Sequence, residues 1–210
     1  MTKLYSTMDP YTAQAATNAS LKDKVETLKN IIKSAQTAML TTRTADGQLH
    51  SRAMNPVTQH GQDFSLALTF IANNVSHKFD EIKSDAHVNV SFYDSSTSDW
   101  ASFAGKAKVI EDHNEIAKYW SQSWLIFDPS HTAWFGNLKD GVHGGDSNDP
   151  RVALIQVIPD EIKYWKVTKS KSERESEIGK DAKQGKVASP GDLISVGRNE
   201  LMDLGLYAKN

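Results

Sequence analysis

Ser76, His77 and Lys78 stand side by side in "ANNVSHKFDEI", where an apolar run stops and a helical pattern begins. A hydroxyl, an imidazole and an ammonium at a strand-to-helix junction can hold an anion. The first backbone N–H groups of a helix have no intrahelical partner, the dipole is positive there, and Lys78 adds charge. The same residues also fit an ordinary cap, with Ser76 bonded to the helix start and His77 and Lys78 in water. Arg52 is the second candidate, mid-strand in "LHSRAMNP". A guanidinium on a central strand needs a carboxylate or a phosphate, because an unpaired buried charge is very costly. Its neighbour Met54 reads as core. Trp134 and Phe135 form the third group, an aromatic pair in an otherwise polar loop. They suit a planar ligand, a partner subunit, or the closing of one end of a barrel.

Other chemistries find little support. The chain has no cysteine, so disulfides, thiolate nucleophiles and Cys-ligated zinc are absent. Its seven histidines are scattered, without H-x-H or H-E-x-x-H spacing, so no metal is expected. His50 and His131 could move protons, but no pattern forces that role, and no catalytic residue is assigned. There is no G-x-S-x-G elbow, no G-x-G-x-x-G after a strand and no phosphate loop of the G-x-x-x-x-G-K-[ST] type. With 24 basic and 26 acidic residues the formal net charge is −2. That argues against nucleic acid as a main partner while leaving room for one small phosphorylated ligand. No segment approaches the roughly 20 apolar residues of a membrane span. The polar N-terminus lacks the apolar core of a secretory signal, which suggests a cytoplasmic protein.

These candidates need elements to position them. Residues 20–35 read as an amphipathic helix, with Leu21, Val25, Leu28 and Ile32 on one stripe and Ser20 with Asp23 resembling a capping box. Asp46-Gly47 marks a hairpin whose second arm puts His50, Arg52 and Met54 on one face. An apolar strand over 64–72 leads into a short helix over 77–83. Strands follow over 87–93 and 99–112, the latter with a bulge or bend at Gly105. A helix over 113–125 comes next. Two further strands, 151–159 and 160–168, are separated at Pro159-Asp160. Residues 127–150 read as a long loop, 169–192 as a charged mobile segment, and 193–208 as a short docking helix. Many strands without βαβ alternation predict a mainly β architecture, a closed or split antiparallel barrel with flanking helices.

In that order the stretches "AMLTTRTADGQLHSRAMNP", "FIANNVSHKFDEI" and "HVNVSFYDSSTSDWASFAGKAKVIED" resemble a known family. It is the general stress protein branch, which includes the fungal blue-light-inducible proteins, of the pyridoxamine 5′-phosphate oxidase-like FMN-binding split barrels. The resemblance covers about residues 28–166. It implies a six-stranded antiparallel split β-barrel over 20–168, after a flexible lead-in (1–19) and before a charged C-terminal extension (169–210). It implies a homodimer with FMN at the subunit interface. Carried over by position, Arg52 would face the phosphate or ring edge, with the backbone of Ala53 and Met54 along the ring. Thr69, Phe70 and Ile71 would border the ring, and Ser76, His77 and Lys78 would hold the phosphate. Trp134 and Phe135 would approach from the partner chain. The arginine/histidine substrate motif of authentic pyridoxamine phosphate oxidases is missing after "YWKVTKSKSERESE", so that activity is not expected. The implied function is a flavin-dependent oxidoreductase linked to stress or light response, with an unknown small-molecule redox partner. The alternatives are a flavin-binding sensor or store without turnover, and a cofactor-free structural barrel.

Overall fold

The computed structural model describes residues 19–57, 65–124 and 135–207. Helix α1, Leu21–Ala35, starts at Ser20, whose hydroxyl accepts from the Asp23 N–H. It buries Leu28, Ile31 and Ile32, while Leu21 and Val25 pack at the margin of the core. Strands β1, Ala38–Arg43, and β2, Leu49–Met54, form the expected hairpin, with Gly47 at φ 95° in the turn. A β-branched residue would be strained at that φ, which is why glycine stands there. Next come β3, Leu68–Asn73, and a single helix of two turns, α2, Lys78–Ser84. They are followed by β4, His87–Tyr93, β5, Trp100–Ile110, and α3, His113–Trp124.

One long strand, β6, Val152–Val167, stands where the sequence suggests two. Proline lacks an N–H, so Pro159 looks like a break in the sequence. In the fold it sits where β6 changes neighbours. On one edge β6 pairs β5 almost throughout. On the other, Val152 to Val157 pair β3, and Ile162 to Val167 pair β7, Gly191–Val196. Between those two partners no ladder bond is asked of Pro159 along that edge. The register also shifts there, from Ala104 opposite Glu161 to Gly105 opposite Pro159, which leaves Asp160 as the extra residue of a bulge. Gly105 is required by the close approach: a Cβ on it would lie 2.2 Å from the Ile158 carbonyl oxygen.

The strand order is β2-β1-β4-β5-β6-β3, with β7 also on β6. Among the described residues the sheet therefore has seven strands, all antiparallel neighbours, where six were expected. Among these residues it is not closed by continuous pairing. A backbone bond from Val57 N to Thr69 O, 2.7 Å, brings the segment after β2 against β3 and so draws the two ends of the order together. The core inside holds Leu40, Phe70, Val90, Phe92, Phe103, Val157, Ile162 and Tyr164. A satellite cluster of Ile116, Trp120, Phe135, Val152 and Leu154 lies under α3.

The segment expected to be mobile is largely regular. Helix α4, Lys171–Gln184, has a full capping box between Ser170 and Glu173 and a left-handed Gly185 at its C-terminus. It buries no residue, so low apolar content hid it; caps and the Lys169–Glu177 ion pair hold it instead. β7 then sends Ile194 and Val196 into the core, and a short helix, α5, Arg198–Asp203, follows. Buried Lys24 of α1 locks this end, bonding Glu200 at 2.8 Å and the Ser195 carbonyl at 2.9 Å. Among the described residues no helix is long and apolar enough to cross a membrane.

Candidate functional site

Arg52 points from β2 toward the same side as buried Leu40 and Thr42 of β1, at the end of the barrel capped by α2. Its Nη2 donates to Glu81 Oε2 at 2.9 Å, and its Nη1 donates to the Thr42 hydroxyl and to the Leu40 carbonyl oxygen at 3.3 Å. Thr42 in turn donates to Glu81 Oε2, and His50 Nδ1 lies 2.7 Å from Glu81 Oε1. Glu81 is 7% exposed. Burial pushes its carboxyl up, but bonds from Thr42, His50 and Arg52 outweigh that and hold it at about 2. It is therefore an anion at neutral pH, and the expected partner of Arg52 is this carboxylate.

Lys78 and Glu81 share a face of α2, being three residues apart. Lys78 Nζ lies 2.5 Å from Ser76 Oγ, and Ser76 Oγ donates to the Asn73 carbonyl oxygen at 2.8 Å. The hydroxyl is thus turned away from the helix start, and the simple cap reading of Ser76 does not hold. His77 takes the N-cap position without a side-chain cap bond. Burial lowers the Lys78 pKa first, and the charge of Arg52 lowers it further, with Glu81 opposing. Arg52 and Lys78 are therefore close enough to repel, and one buried carboxylate does not cancel both. The loop that carries Ser76 is fixed by Asn74, whose N–H and amide donate to the Arg151 and Pro150 carbonyl oxygens. Arg151 itself is pinned by wholly buried Asp149, which orders the stretch before β6.

Arg52, Ser76 and Lys78 come together, with Met54 on the Arg52 face packed at the core margin. His77 stands apart, its side chain fully exposed and 3.9 Å from Asp80. Ala53 is exposed on the opposite face of β2. Phe70 is wholly enclosed in the core and paired with Ile155 of β6, so neither its side chain nor its backbone is exposed. Ile71 packs on the satellite cluster under α3. Thr69 is 2% exposed, its backbone bonded to Val57, and its hydroxyl has no hydrogen-bond partner among the described residues. Phe135 is buried against Trp120, ring centroids 6.1 Å apart, and so serves its own chain's satellite cluster. Trp134 and His131 lie outside the described residues. Glu81 and Thr42 were not legible as site residues. The demand of Arg52 for a counter-charge, and the Lys78/Glu81 spacing on one helix face, are the signals that point to Glu81.

An open antiparallel sheet with flanking helices defines a split-barrel protein, and Arg52, Lys78 and Glu81 gather at one short helix of it. The profile of the family described as "Pyridoxamine 5'-phosphate oxidase like" matches residues 23–188, and the chain belongs to that family. It is 35% identical over 196 residues to Protein bli-3 of Neurospora crassa, covering 92% of this chain and 89% of that one. Among solved structures it is similar in fold to General Stress Protein 26 from Bacillus anthracis, with TM-score 0.51 and 23% identity over 67% of this chain and 92% of that one. It is also similar to a pyridoxamine 5′-phosphate oxidase-related, FMN binding protein from Nostoc punctiforme. There the TM-score is 0.53, with 16% identity over 72% of this chain and 87% of that one.

Proposed function

We propose that this chain binds FMN through its phosphate at Arg52, Ser76 and Lys78 and acts as a flavin-dependent oxidoreductase in the cytoplasm. The carrying observation is the charge balance. Two cations meet one buried carboxylate, and the Lys78 ammonium is disfavoured by burial and by Arg52. A phosphate monoester, carrying roughly −1.5 to −2 at neutral pH, would relieve that excess. Family membership and the FMN-binding relative in N. punctiforme support the same cofactor.

When bound, FMN would supply the electron and hydride chemistry. The chain's residues would bind and orient it. Arg52 would present a guanidinium whose direction is set by Glu81 and Thr42. Lys78 and Ser76 would close on the phosphate from α2 and its preceding loop. A homodimer is part of the reading. The outer face of β1, β4 and β5 carries a cleft lined by Met39, Ser91, Tyr93, Trp100 and Ser102, small or apolar groups suited to a second copy. A role in stress or light response rests on likeness to the general stress protein and bli-3.

The test is a visible spectrum of the purified protein, then titration with FMN, FAD and riboflavin. Tight FMN with weak riboflavin is expected, and failure to bind any of them overturns the reading. Turnover is tested by reducing the bound flavin with NADH or NADPH and following reoxidation. Light scattering tests the dimer.

A further inference from the structure

Glu81 is the one member of the cluster that repels an anion, yet it is the most thoroughly bonded. Its Oε2 takes Thr42 and Arg52, and its Oε1 takes His50. A carboxylate held at about 2 is an acceptor only at neutral pH. The His50 Nδ1 at 2.7 Å must then carry the hydrogen, whether the ring is neutral or charged. Nε2 is left as the nitrogen that gains and loses a proton, on a side chain 53% exposed. His50 lies on the same face of β2 as Arg52, joined to it through Glu81.

The charges then count simply. Arg52 and Lys78 against Glu81 leave one net positive charge. Protonation at His50 Nε2 raises it to two, which matches a phosphate dianion. The other charges near His50 do not alter this contrast. Asp46 in the hairpin loop feels the imidazole only as the weakest influence on its carboxyl, and Arg43 of β1 is paired with Asp85 after α2. We propose that Glu81 is a positioning residue that aims Arg52 at the anion and turns His50 so that its Nε2 proton sets the charge of the site. FMN is held more tightly when His50 is protonated. The inference rests on the phosphate reading above and goes beyond it, by giving that site a pH-responsive element.

The experiment titrates FMN and riboflavin into wild type, His50→Gln, Glu81→Gln and Glu81→Asp between about pH 5 and pH 8, the range in which histidine titrates. The FMN phosphate has its own ionisation near pH 6, about the same in each protein, so it cancels in ratios. The FMN affinity ratio of wild type to His50→Gln should fall from roughly fivefold at the acid end to about one at the alkaline end, the scale of an exposed charge interaction. The riboflavin ratio should stay flat. For Glu81→Gln, charge alone predicts tighter FMN, whereas positioning predicts weaker FMN, unchanged riboflavin and partial recovery in Glu81→Asp. A flat FMN ratio, or tighter FMN in Glu81→Gln, overturns the proposal while the phosphate site stands. Wild type that binds no FMN overturns the phosphate site itself, and this proposal with it. Should Glu81→Gln fail to fold, the His50→Gln ratio decides.

Discussion

Replacing Lys78 with methionine should weaken FMN and leave the empty protein at least as stable. The ammonium is partly buried and its pKa lies below the ordinary lysine value, through burial and then through Arg52. A lysine whose folded pKa is lowered destabilises the fold while it is charged. Methionine keeps the stem packed beside Phe79, whose ring centroid is 5.7 Å from the ammonium, and removes the charge. The bond to Ser76 Oγ is lost, but that hydroxyl keeps its bond to Asn73. The net change in unfolding free energy should fall between zero and about 1 kcal/mol in favour of the variant, the scale of a partly screened charge interaction. FMN binding should lose about 1.5–3 kcal/mol, the range for a hydrogen bond to a charged group. That is roughly a 10- to 150-fold weaker affinity. Riboflavin, without the phosphate, should bind Lys78→Met and wild type alike. Fluorescence titration reads the affinities and urea unfolding reads the stability. Equal losses for both ligands would show that Lys78 does not touch the phosphate. A variant destabilised by more than about 1 kcal/mol would show instead that the lysine serves the fold.

Acid should act through Glu81. Its carboxyl is held at about 2 against an ordinary 4.5, so the unfolded chain binds the proton first. The stability this contributes is present above about pH 4.5 and is lost as pH falls toward about 2, and urea unfolding across that window should be flatter in Glu81→Gln. Gly105→Ala should destabilise by about 2–3 kcal/mol, since its Cβ would meet the Ile158 and Pro159 backbone at 2.2 and 2.6 Å, atoms that cannot step aside. Unchanged urea unfolding there would mean that the β5–β6 bulge is not the tight approach described. Lys24→Met should cost about 2–3 kcal/mol, less than a fully buried pair because Glu200 is 33% exposed. Amide hydrogen exchange should then rise first in β7 and α5, and a uniform rise across the sheet would contradict the lock.

The hairpin at Asp46-Gly47, the stripe of α1 and the bulge at Gly105 could all be read locally, because turn chemistry and periodicity are set by near neighbours. Pro159 misled for the opposite reason. A missing N–H matters only if a partner strand asks for it, and β6 changes partners at that point. Helix α4 was hidden because it is held by caps and ion pairs and buries nothing, although Ser170, Glu173 and Gly185 carry its end signals.

From sequence alone came the candidates of the site: Arg52 needing a counter-charge, and Ser76 with Lys78 at the foot of a helix. Their residue types are what make an anion the ligand chemistry to test. Only the tertiary structure decided that Glu81 answers Arg52, that Ser76 turns from the helix toward Asn73, and that Phe135 belongs to the cluster under α3. Those facts depend on which side chains meet across β1, β2 and α2. Charge pairing and burial are set by distances between residues far apart in the chain, and local pattern carries no record of them.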